Sequence, residues 1–131
     1  AGEEGPASYI WEALNLLKIK RIDHGNNALS DQELVTFLVE NQIALTVCPL
    51  SNLALNVVQD LKNHPLKKML KKNLKVTVNS DDPAYFGGYL NQNFIEITKA
   101  LNLNQEDIDV LIRNSFLYSL EPEKFTEFLN Q

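Results

Sequence analysis

Apolar and polar positions follow two rhythms along the chain. From Pro6 to Leu17 (PASYIWEALNLL), Tyr9, Ile10, Ala13, Leu14 and Leu17 recur at helical spacing. Pro6 suits the first turn, where a missing N–H costs nothing. Tyr9, Ile10 and Trp11 are expected to pack this helix on a sheet. Lys20 to Asp23 (KRID) is short and strand-like, and His24-Gly25 ends it. Ser30 and Asp31 predict a cap for a helix running to about Asn41, with Leu34, Phe37 and Leu38 as its apolar face. Ile43 to Pro49 (IALTVCP) predicts a buried strand, rich in branched residues and stopped by proline. His64-Pro65 opens a helix from Leu66 to Lys72, and Leu74 to Asn79 (LKVTVN) predicts another buried strand. Helices follow over Phe94 to Leu101, from an Asn104 cap through Tyr118 with Asp107 as capping-box partner, and from Pro122.

Strands alternating with helices predict an α/β fold with a parallel sheet and helical crossovers. Three such strands make a small sheet with two open edges, which is unusual for parallel strands. A complete (β/α)8 TIM barrel takes ~250 residues, so 131 residues hold about half of one. The expectation is one structural unit over residues 1–131, the C-terminal half of a barrel whose amino-terminal half is missing. The opening Ala1-Gly2-Glu3-Glu4, with no initiator Met, reads as a loop-to-helix junction and carries the same expectation. A halved barrel would expose strand edges and leave Val47, Val76 and Val78, or their neighbours by alternation, without facing partners. Contact with an amino-terminal piece or a second copy of the chain is therefore expected.

Composition narrows the function classes. At 44% hydrophobic and 22% charged residues, the profile is that of a soluble globular protein. The net charge of -5 and the lack of a basic face argue against nucleic acid. No apolar run approaches the ~20 residues of a membrane span. One cysteine, Cys48, excludes an internal disulfide and fits a reducing, cytoplasmic setting.

Candidate chemistry concentrates where each strand ends. In parallel α/β folds, function sits at the carboxyl ends of strands. The first ends in Asp23-His24-Gly25, the next in Cys48-Pro49-Leu50-Ser51-Asn52, the third in Asn79-Ser80-Asp81-Asp82-Pro83. Ala1-Gly2-Glu3-Glu4-Gly5 reads as following a further strand. Glu, His, Asp and Asp would then converge on one mouth. Each also has a plainer reading. Glu3 could be a first-turn carboxylate favoured by the helix dipole. His24 could be a turn histidine, and one of Asp81 and Asp82 could cap the next helix. A second adjacent carboxylate at a buried strand end is harder to explain that way. Cys48 reads as a packed small hydrophobe, His64 as a surface residue, and Lys67, Lys68, Lys71 and Lys72 as a solvated helix face.

The stretches AGEEGP, RIDHG, CPLSN and VNSDDPAYFGGY occur in this order. In this they resemble the adenosine/adenine deaminase family of zinc aminohydrolases, over essentially the whole chain. NSDDPAYFGGY, TVCPLSN and GPASYIWEAL are most similar to its adenine deaminase branch; adenosine deaminases carry a threonine in the DDP motif. The resemblance implies a (β/α)8 barrel with one catalytic Zn2+, of which this chain would supply strands six to eight and the loop after strand five. It implies hydrolytic deamination of a purine base, adenine to hypoxanthine and ammonia. Glu3 matches the proton donor to the ring nitrogen, His24 the histidine that orients and polarises the attacking water, and Asp81 a zinc ligand. Asp82 matches the residue that hydrogen-bonds the imidazole ring of the substrate. The family's histidine ligands fall outside these residues, so the isolated chain is expected to be inactive. Beyond that resemblance, Gly2 is inferred to let substrate approach closely, Asn79 and Ser80 to support the aspartates, and Ser51 and Asn52 either to line the pocket or, as the favoured reading, to brace the strand end. Two other readings stay open: deamination of adenosine or another N6-substituted purine, and a non-catalytic α/β module that binds a small ligand at its strand ends.

Overall fold

Short branched runs bounded by residues that stop helices give the strands. A computed structural model describes residues 1–129. Helix α1 (Ala7–Leu17) leads into β1 (Arg21–Asp23), then α2 (Gln32–Glu40), β2 (Ala44–Val47) and the short α3 (Pro49–Ala54). Helix α4 (Leu66–Lys71), β3 (Lys75–Val78), the single turn α5 (Pro83–Phe86) and α6 (Leu90–Leu101) follow, then α7 (Gln105–Leu117) and α8 (Pro122–Leu129). Two 3-10 turns, Asn26–Ser30 and Leu61–Asn63, lie between. The strands pair parallel in the order β1-β2-β3, so the α/β expectation holds.

Register decides what each face carries. Ile22, Leu45 and Val76 align across the sheet, as do Asp23, Thr46 and Thr77, and Val47 pairs with Val78. Because side chains alternate between faces, one face is aliphatic and the other bears Asp23, Thr46 and Thr77. The aliphatic face packs on Ile10, Leu14, Leu34, Leu38, Leu66 and Met69, in one cluster with Ile97 and Leu111. Each such side chain fully withdrawn from water contributes about 1.5–3 kcal/mol.

Caps set the helix boundaries. Asp31 accepts hydrogen bonds from the backbone N–H groups of Glu33 and Leu34 to start α2. Asn104 and Asp107 form the reciprocal capping box of α7. The second predicted strand is shorter than expected: Pro49 does not just stop it but opens α3, because proline is preorganised for a first helical turn.

Several expectations about packing are corrected. Tyr9 and Leu17 are exposed, and the buried stripe of α1 is Ala7, Ile10 and Leu14. Trp11 packs on Phe37 of α2, ring centroids 5.1 Å apart, and its Nε1–H donates to Asp31. It thus joins helix to helix rather than helix to sheet. Val47, Val76 and Val78 are buried, and Thr46 and Thr77 are nearly so. An open cleft on the Thr46–Thr77 face is also lined by Ser115, Tyr118 and Leu120. The edges are not bare either. Asn114 Nδ2 donates to the Val76 carbonyl at 2.9 Å. At the other edge, the Ala1 amino group donates to the Asp23 carbonyl and Gly25 N–H donates to the Ala1 carbonyl. Ala1 thus sits where the carboxyl end of a neighbouring parallel strand would lie.

Candidate active site

The ladder continues just past the strands. His24 N–H donates to the Thr46 carbonyl and Asn79 N–H to the Val47 carbonyl, so His24 emerges level with Val47, and Cys48 and Asn79 emerge together one residue further on. There the backbone turns abruptly. His24 and Asp81 adopt left-handed conformations, φ 68° and 58°, which cost a residue with a Cβ roughly 1–2 kcal/mol. Among the described residues, the five other non-glycine residues with positive φ, Lys18, Gln42, Asn56, Asn73 and Asn102, all lie at helix C-terminal ends. Among the described non-glycine residues, His24 and Asp81 alone take this conformation beyond a strand.

These turns bring donor atoms together. One ligating atom each from His24, Cys48 and Asp81 lie within 4.8 Å of one another. Glu3 joins from the loop before α1, its Oε1 3.3 Å from His24 Nδ1. The two side chains are 20% and 22% exposed, a partly desolvated pair at the rim. Nδ1 of His24 is buried, and Glu3 Oε1 at 3.3 Å approaches it without the geometry of a hydrogen bond. Asp81 is held by Ser51, whose hydroxyl donates to Oδ2 at 2.6 Å. Asn52 donates from Nδ2 to Glu3 Oε1 at 2.7 Å. The expected bracing by Ser51 and Asn52 is thus direct contact with two carboxylates. Asn79 accepts from Thr77, and Ser80 lies near the Asp81 carbonyl at 3.5 Å.

The neighbouring aspartates have different surroundings. Asp82 caps α5, its Oδ1 accepting from the N–H groups of Ala84 and Tyr85. Only that oxygen is engaged in the cap, so Oδ2 can serve another partner. Gly2 is buried with φ 68°, and a Cβ there would sit 2.4 Å from Ile10 Cδ1. Packing against α1 alone therefore accounts for a glycine at this place. The loop is fixed by Asn27, whose Nδ2 reaches the carbonyls of Glu3 and Gly5 and whose N–H donates to the Gly2 carbonyl.

Imidazole nitrogen and carboxylate oxygen are the donor chemistry of zinc. Cys48 is the doubtful member of the cluster. Burial, then the negative charges of Asp81, Glu3 and Asp23, push its thiol up to about 12. Its burial is in keeping with the expected packed small hydrophobe. His64 departs from expectation: it is 2% exposed and hydrogen-bonds Asn52. Asn26, also buried, donates to the same Asn52 oxygen at 2.8 Å. Neither was legible as a site residue, since each lies in a polar local context that reads as a turn.

Comparison with known proteins bears on this site. The model of the adenosine deaminase family matches residues 1–130. The chain belongs to that family. Among curated relatives, the adenine deaminase of Crocosphaera subtropica is 58% identical over 116 residues, covering 88% of this chain and 36% of that protein. That of Paraburkholderia phytofirmans is 55% identical over 130 residues, 98% of this chain and 37% of that protein. The chain thus spans about a third of the length of these relatives. The crystal structure of adenine deaminase from Arthrobacter aurescens superimposes with a TM-score of 0.89 at 46% identity, over all of this chain and 42% of that one. An amidohydrolase from Burkholderia ambifaria, solved with bound Zn, gives 0.80 at 28% identity, over 88% of this chain and 33% of that one. The three parallel strands are part of a deaminase-family barrel. Among the described residues no helix is long and apolar enough to cross a membrane.

Proposed function

We propose that the complete protein is a zinc-dependent adenine deaminase, converting adenine to hypoxanthine and ammonia in the cytoplasm, with residues 1–131 forming the C-terminal part of its barrel. The observation that carries this reading is the convergence of Glu3, His24 and Asp81 from three separate loops. When bound, zinc supplies the acidity that makes water a nucleophile near neutral pH. Asp81 would hold the ion, together with ligands from the rest of the protein, because a catalytic zinc needs about three protein ligands. His24 orients the attacking water and takes part in moving its proton. Glu3 delivers a proton to the ring nitrogen next to the reacting carbon, where negative charge develops. Asp82 accepts a hydrogen bond from the imidazole ring of the base and fixes its orientation. Gly2, buried against Ile10 of α1, lets the loop that carries Glu3 pack close to that helix.

Adjacent aspartates leave a strand end in different directions. One can face the metal while the other, through the oxygen not used as a cap, faces the base. Adenine is favoured over adenosine because the adenine deaminases cited above are 55% and 58% identical to this chain. The test is an ammonia-release assay on the complete polypeptide with adenine and with adenosine, before and after chelation and zinc restoration. Adenine turnover that requires zinc is expected, with none from the 131-residue chain alone. Turnover indifferent to zinc, or preference for adenosine, would overturn the reading.

A further inference from the structure

We propose that His64 is a positioning residue that fixes, through Asn52, the hydrogen-bond polarity of the Glu3 carboxyl. The inference rests on reading Glu3 as the proton donor. It begins at the backbone N–H of Leu66, which donates to His64 Nδ1 at 3.1 Å. A nitrogen that accepts an N–H carries no proton, so the neutral ring bears its hydrogen on Nε2. Nε2 lies 3.1 Å from Asn52 Oδ1, and that contact is therefore N–H donating to oxygen. Burial supports the neutral form, depressing the imidazole to about 4. Asn26 Nδ2 donates to the same Oδ1 at 2.8 Å.

Two donors converging on Oδ1 leave Asn52 one orientation. Flipping the amide would set its NH2 against two N–H groups and its oxygen against the Glu3 carboxyl. The amide hydrogens accordingly face Glu3, and Nδ2 donates to Oε1 at 2.7 Å. Oε1 is then an acceptor, and a proton that Glu3 delivers must ride on Oε2. The donors run one way: Leu66 N–H, His64, Asn52, Glu3, substrate. Asn52 is fully buried and His64 nearly so, so bulk water cannot readily replace either partner. His64 lies 12 residues beyond Asn52 in sequence and 61 beyond Glu3, counted from their numbers.

The experiment uses the complete enzyme with His64→Leu, His64→Gln, Asn52→Ala and the His64→Leu/Asn52→Ala double variant. We expect His64→Leu to lower kcat for adenine ~10–100-fold, the range for residues that orient active-site groups, with KM changed less than threefold. His64→Gln, which can still offer an N–H to Oδ1, should recover most of the rate. Adding His64→Leu to Asn52→Ala should cost little more, since both act on one contact. Additive losses, or unchanged kcat in His64→Leu, would overturn the proposal. If His64→Leu does not fold, ring 15N shifts of His64 in the unmodified enzyme decide: protonated Nε2 with bare Nδ1 supports it, the opposite tautomer overturns it. If the enzyme does not deaminate adenine at all, the functional reading fails while the 15N result still decides this polarity.

Discussion

The backbone turns left-handed at two kinds of place in this molecule, and the two differ in what the turn achieves. At Gln42, Asn56, Asn73 and Asn102 the left-handed residue follows a helix and its N–H returns to a carbonyl of the last turn. The strain there is offset locally by hydrogen bonds that any helix end needs. At His24 and Asp81 no helix precedes. The turn instead carries an imidazole and a carboxylate to within 4.8 Å of each other, beside Cys48 and facing Glu3. Tertiary contacts hold that strain: the ladder bond from His24 to Thr46 and the Ser51 hydroxyl on Asp81. Strain maintained by surrounding structure, without a local return, is of the kind that clusters at functional sites.

Substitutions can separate these two uses of the same conformation. The largest expected effect is on turnover: in the complete enzyme, Glu3→Gln and His24→Ala each lower kcat/KM by ~10²–10⁴-fold, the range for a lost acid–base group. Asp81→Gly sharpens the comparison, because it relieves roughly 1–2 kcal/mol of backbone strain while removing a carboxylate. Metal analysis should show lost zinc and lost turnover, and calorimetry of the two proteins, both stripped of metal, a higher melting temperature for the variant. An active Asp81→Gly enzyme would erase the distinction.

Next in size is the acid limb of stability. His64 has its folded pKa depressed by burial to about 4, from 6.5. Between those values the unfolded chain binds the extra proton, so stability is complete above pH 6.5 and falls as pH drops toward 4. The loss approaches about 3 kcal/mol, and His64→Gln should flatten that stretch of a melting-temperature profile. Asp31, lowered by the Leu34 N–H and the Trp11 indole, acts in the same direction below pH 3.8.

Gly2→Ala comes third. It places a Cβ 2.4 Å from Ile10 in a left-handed conformation, and about 1–3 kcal/mol of destabilisation is expected by calorimetry. The smallest effect belongs to the helix ends: Asn73→Gly and Asn102→Gly should raise stability by less than about 1 kcal/mol and leave turnover unchanged. A fall in activity there would mean that helix-end turns also serve the site.

Much of this was legible beforehand. The runs Ile43–Pro49 and Leu74–Asn79 predicted buried strands, each found shorter by a residue or two at either end, and Asp31, Asn104 and Asp107 predicted caps, because these signals act within a few residues. The stretches AGEEGP, RIDHG, CPLSN and VNSDDPAYFGGY also marked Glu3, His24, Asp81 and Asp82 as candidates. His64 was misjudged because Asn63-His64-Pro65 looks like an ordinary helix start. Its burial depends on where α4 packs, and its partner Asn52 belongs to another helix.

What the sequence determined by itself was therefore local: strand and helix identity, the caps, and which polar residues follow each strand. The tertiary structure alone decided which of them meet. Parallel register made the strand ends level, left-handed turns aimed His24 and Asp81 at one point, and buried asparagines joined elements far apart in the chain. The physical reason is that a hydrogen bond between residues such as Asn52 and Glu3, 49 positions apart, leaves no periodic trace in the sequence. Its geometry exists only once the strands have set the register.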